Sequence, residues 1–158
     1  MMTQPIRARG LGRPASLASL APLAAGWLLA AAWGSVVQTQ FNLQALVALG
    51  VDVPPGLRAL TTLQDLASFA PVYAGILAAG WLPALGLAAW LARHQPAWRT
   101  ALLTSAAGLG MIAAVRAVDV VAPMPVFIDA TRGWPGLLTM AAGAALGGLL
   151  YARGTRRA

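Results

Sequence analysis

From Pro14 to Val51 the chain carries no charged residue, and from Leu66 to Ala92 it again carries none. Runs of that length settle the solvent. A helix crosses the hydrocarbon core of a bilayer with about 20 apolar residues, each adding about 1.5 Å of rise. Four stretches meet that requirement, at about 17–37, 66–91, 101–121 and 134–152. Only 9% of the 158 residues are charged, whereas a soluble domain uses about 25% to cover its surface. The mean hydropathy of +0.71 agrees. The expected fold is an all-α membrane protein, a bundle of four transmembrane helices. Residues 16–152 form its single domain, between a basic tail at 1–15 and another at 153–158.

Every basic group is an arginine and every acid an aspartate, and their placement predicts the orientation. Arg7, Arg9 and Arg13 precede the first span, Arg93 and Arg99 separate the second from the third, and Arg153, Arg156 and Arg157 follow the fourth. The opposite side holds Arg58, Arg116 and Arg132 with all four acids, Asp52, Asp65, Asp119 and Asp129. The positive-inside rule then puts both termini in the cytoplasm. A sequence pI near 11.8 therefore does not indicate nucleic-acid binding. The arginines flank spans with no stacking surface between them, so anionic lipid headgroups are the expected partner. Trp33, Trp90, Trp98 and Trp134 fall near span boundaries, where indoles favour the headgroup layer, while Trp27 and Trp81 fall deeper. The stretch ending Ala30-Ala31-Ala32 resembles a signal peptide, but its uncharged segment exceeds the usual apolar region, so an uncleaved span is expected.

Residues 38–61 read as a long first exterior loop. Gln38 to Ala45 alternate polar and apolar as a strand would, yet no second strand exists to pair with them. Leu43 to Leu49, followed by Gly50, fits a short interfacial helix closed by a glycine cap. Pro54-Pro55-Gly56 then predicts a turn, and Thr61 with Gln64 a capping box opening the second span at Asp65. Pro123, Pro125 and Pro135 predict a stiff, irregular second exterior loop, and Pro71 and Pro83 should bend span two. The plan of four spans, both ends inside and a long first exterior loop is similar to that of the claudin-like group. The Trp…Gly-Leu-Trp…Cys…Cys signature of that group is absent, so the similarity is one of topology alone.

Lipid tails are as apolar as leucine, so spans associate through close packing of small residues. Gly143, Gly147 and Gly148 give span four such a face, Gly26 and Gly34 do so for span one, and Gly110 with Ala106 for span three. Chemistry is harder to find. Gly108-Leu-Gly110-Met-Ile-Ala113 matches a dinucleotide fingerprint by letter but lies inside an apolar helix with no preceding strand. The chain has no cysteine and one histidine, His94, placed across the membrane from every aspartate. No catalytic residue, metal site or cofactor is expected.

One polar set stands out at the exterior end. Arg116 and Asp119 lie three apart on span three, Asp65 opens span two, and Gln38, Gln40 and Asn42 end span one. Ionisable groups at membrane depth are costly and tend to be paired and functional. They predict either a salt bridge from Arg116 to Asp119 or Asp65, or a pocket for a lipid headgroup, a quinone ring or a small anion. Small size and wide small-residue faces imply an accessory or assembly subunit of a membrane complex, associating with other subunits or with itself. A small carrier or lipid/quinone-binding protein acting through Arg116 is the alternative. Abundant Ala and Arg without Lys imply a GC-rich bacterial genome and thus an inner membrane.

Overall fold

A computed structural model describes residues 17–122 and 128–156, and the described residues are helical with no strand among them. The four long helices are α1 (Leu17–Ala48), α2 (Pro55–His94), α3 (Arg99–Val121) and α4 (Trp134–Gly154). Short 3₁₀ turns at Pro96–Trp98 and Asp129–Arg132 precede α3 and α4. All four are long and apolar enough to cross a membrane. α1 packs on α2 and α4, and α3 on the same two, so the helices close a ring around one apolar core. Tyr73, Leu77, Trp81, Leu103, Met111 and Met140 fill it.

The third and fourth helices cover residues 101–121 and 134–152 with two residues more at one end each, and the first two helices are longer than expected. Residues 38–48 are the last turns of α1 rather than a loop with a separate interfacial helix. Gly50 does close that helix as its sequence indicates. Its φ of 84° lies in the left-handed region. The Gly50 N–H donates to Val47 and the Val51 N–H to Leu46, which together satisfy carbonyls the helix end leaves open. α2 starts at Pro55 behind an extended Pro54, six residues before the predicted capping box. Thr61 is no cap; its hydroxyl donates to the Leu57 carbonyl within the helix. α2 also runs uninterrupted through Pro71 and Pro83. Arg153 and Gly154 are the last residues of α4. The tail at 1–15, Pro123 and Pro125 lie outside the described residues.

Small residues set the helix crossings. A side chain on Gly26 of α1 would run into the Gly147 carbonyl of α4, and one on Gly147 would meet the Gly26 carbonyl. α2 and α3 cross in the same way at Gly80 and Gly110, while Gly148 of α4 receives the Ala107 methyl of α3. Gly143 is covered by the indole of Trp33, and Gly34 by the ring of Tyr73. Each predicted packing glycine thus has a partner, and Gly80 joins them. Two indoles, Trp81 buried and Trp27 half-buried, tie helices further: Trp27 Nε1 donates to the Ala74 carbonyl at 3.0 Å and Trp81 Nε1 to Ala107 at 3.0 Å.

These contacts fix the heights of the four helices. At the end nearest the described termini, Pro22 of α1 lies against Gly154 of α4. Towards the other, distal end, Trp33 Nε1 reaches the Thr139 carbonyl and Gln38 reaches Ala130. α4 therefore starts level with Gln38, and α1 continues to Ala48 beyond it, by about 15 Å. On α2 the crossing at Gly80 and Gly110 sets Val121, the last residue of α3, level with about Phe69. The part of α2 from Pro55 to Ser68 extends past α3 by about 20 Å. The first two helices form a two-helix arm standing out from the bundle.

The crossings should be intolerant of one methyl group. Gly147→Ala is expected to destabilise the protein in detergent by about 1–3 kcal/mol, the usual effect of overpacking. Gly75→Ala, whose new methyl meets open space, should be neutral or raise the melting temperature slightly. Equal melting of the two variants would contradict backbone-to-backbone packing at Gly26 and Gly147.

Candidate functional site

The polar residues singled out from the sequence divide into two groups in space. One is the seam between α1 and α2 where they become the arm. Thr39 is fully buried, and its Oγ lies 2.6 Å from Asp65 Oδ2 and 2.9 Å from the Ser35 carbonyl. One turn further out, Arg58 Nη1 donates to Gln40 Oε1 at 2.8 Å, and Gln40 Nε2 donates to Thr62 Oγ at 3.0 Å. The Thr62 hydroxyl in turn donates to the Arg58 carbonyl at 2.7 Å. Arg58, Thr62 and Asp65 recur at helical spacing on one face of α2, opposite Thr39 and Gln40 of α1. In an apolar setting each such group is costly unless it is hydrogen-bonded, and here each finds a partner on the facing helix.

Gln38 serves the turn before α4. Its side-chain oxygen accepts the Ala130 N–H at 2.8 Å in a buried contact, and its amide reaches Asn42 Oδ1 at 3.5 Å. The Ala130 carbonyl packs against Gly136 at the start of α4. Gln38 therefore fixes the entry to α4 from a helix distant in sequence.

The second group is Arg116 with Asp119 on α3. They face each other at 3.4 Å, three residues apart, and the arginine side chain is 49% exposed. The predicted bridge to Asp119 is present. Asp65 is instead engaged by Thr39 across the seam, so Arg116 makes no clamp to α2. Asp129 and Arg132 form a similar exposed pair at 2.8 Å in the turn before α4. At the opposite end, Arg99 donates to the Ala152 carbonyl and to Thr155 Oγ, satisfying the end of α4. His94, the last residue of α2, is exposed and meets the Trp90 ring edge-on.

Sequence reasoning reached Asp65, Gln38, Gln40 and Asn42 but passed over Thr39, Arg58, Thr62 and Ser35. The missed signal was reciprocal: Gln38, Thr39 and Gln40 near the end of one apolar run mirror Thr61, Thr62 and Asp65 near the start of the next. Four buried hydroxyls, on Ser35, Tyr73, Thr100 and Thr104, have no hydrogen-bond partner among the described residues. Outside the seam, the α2–α3 side of the bundle carries an open apolar groove of about 740 Å³, lined by Ala79, Gly80, Pro83, Gly110, Ala113 and Ala117 among others. A second groove of about 850 Å³ continues from it towards Gln95 and Trp98. Neither is lined by Arg116. No protein family, curated protein or solved structure matches the chain.

The seam and the Arg116 pair should differ sharply in weight. Thr39→Val leaves Asp65 without its described partner and is expected to cost about 1–3 kcal/mol. Arg116→Gln breaks a pair whose arginine is half exposed to screening and should cost less, about 1 kcal/mol. Thermal melting in detergent checks both, with a double-mutant cycle of Thr39→Val and Asp65→Asn. Additive effects of those two, or a larger loss from Arg116→Gln, would contradict the assignment.

Proposed function

We propose that the chain is a non-enzymatic accessory or assembly subunit of a bacterial inner-membrane protein complex, with both termini in the cytoplasm. The observation that carries this reading is the open groove between α2 and α3. Most small-residue faces of the bundle are spent inside it, at Gly26 with Gly147, Gly143 with Trp33, and Gly148 with Ala107. Ala79, Ala113 and Ala117 instead face outward along the groove. Small residues that let a helix backbone approach closely are what membrane helices use to recognise one another. The groove is fitted to one apolar transmembrane helix of a partner subunit. The arginine bias towards the end bearing the termini supports the orientation, and the Ala- and Arg-rich, Lys-free composition supports the bacterial membrane.

The rival reading, a carrier or a lipid- or quinone-binding protein working through Arg116, draws less support. Arg116 is half exposed, and its acid lies on its own helix rather than across a pocket.

The test is the size of the native particle. Solubilised gently from its own membranes, the full chain should run larger than a monomer, with a stoichiometric protein partner. Ala79→Leu with Ala113→Leu fills the groove and should release that partner while leaving the stability of the isolated chain within about 1 kcal/mol of wild type. A wild-type chain that runs as a lone monomer would overturn the reading.

A further inference from the structure

The arm formed by residues 39–48 of α1 and 55–68 of α2 holds five polar side chains in its seam and leaves Gln44, Gln64 and Ser68 exposed. Thr39, Gln40, Arg58, Thr62 and Asp65 bond to one another in the seam. Leu46, Val47, Leu49, Leu57, Leu60 and Leu63 point outward and are exposed, Leu49 by 80% and Leu63 by 65%. Such a surface suits an apolar environment. The charges of α3 and α4 show that the hydrocarbon core does not supply it. Arg99 and Arg116 bracket roughly 26 Å of α3, and Trp134 and Arg153 roughly 29 Å of α4. That matches a core about 30 Å thick. Raising the bilayer over the arm would bury Arg116 and the Asp129–Arg132 pair, which are now exposed at the distal end.

We infer that the exposed leucine face of the arm is a docking surface for a partner subunit beyond the distal face of the membrane. This rests on the proposed accessory role and names a second element of it. An apolar patch of this kind outside hydrocarbon marks a protein contact. The charges specify the partner further. Asp52 is exposed at the tip, and with Asp65 and the single arginine, Arg58, it gives the arm a net charge of −1. A second copy would set two net-negative arms against each other, acid against acid at the tip. The fitting partner presents an apolar face with a basic group opposite Asp52.

The experiment uses the full chain in its native membranes. Leu46→Gln, Leu49→Gln, Leu60→Gln and Leu63→Gln are combined, and the fraction running in the large native particle is compared with wild type. The expected result is a drop of about tenfold or more, with melting of the isolated chain unchanged. A photo-crosslinking side chain at Leu60 in an otherwise wild-type chain gives a second measurement that does not depend on the folding of the quadruple variant. It should join the chain to the same protein that groove filling releases. Adducts of lipid mass, or of twice the chain's own mass, would overturn the inference, as would no adduct at all. A quadruple variant that stays in the large particle also overturns it while leaving the accessory role standing. A wild-type monomer removes both.

Discussion

The contact between Gly26 of α1 and Gly147 of α4, with its counterpart at Gly80 and Gly110, is what the rest of the structure depends on. In lipid there is no hydrophobic gain in bringing two apolar helices together, so association comes from how closely their surfaces fit. Without side chains at these four positions, backbone carbonyls approach the facing helix directly. Those crossings also set the heights of all four helices. They bring Trp33 over Gly143, Tyr73 onto Gly34, and the Gln38 side chain to the Ala130 N–H.

Heights matter because the helices are unequal. α3 and α4 match the hydrocarbon thickness, whereas α1 and α2 run on as an arm. Polar side chains that would ordinarily mark the exit of a helix from the membrane are placed so that the two helices satisfy each other. Thr39 meets Asp65, and Gln40 meets both Thr62 and Arg58. Hydrogen bonds across the seam hold the helices together where small-residue packing ends. The arm presents leucines outward, with Gln44 and Gln64 among them, and the α2–α3 groove presents alanines.

This division explains what the sequence made legible. Uncharged runs are read directly, because few other uses exist for them, and spans three and four fall where hydropathy places them. The packing glycines were equally legible as residues, though not as pairs, since Gly26 can meet Gly147 only once a register is known. The first exterior loop failed for a specific reason. Gln38, Gln40 and Asn42 look like a helix end when each is read against water or lipid alone, and Thr61 with Gln64 looks like a beginning. Only the facing helix shows that both belong to continuous helices. Arg116 misled in the opposite sense: it drew attention as a charge at depth, yet it reaches an exposed position beside Asp119.

The central claim is that α1 and α2 continue as paired helices beyond the hydrocarbon core. Spin labels placed one at a time from Phe41 to Leu49 and from Leu57 to Leu66, in the purified chain reconstituted into vesicles, test it most directly through collisions with oxygen and with a polar nickel reagent. Accessibility that keeps a helical period through Ala48, with the polar reagent favoured at Leu46, Leu49, Leu57 and Leu60, is the predicted result. Loss of that period after Gln38, or oxygen-dominated collisions along the arm, would contradict the account.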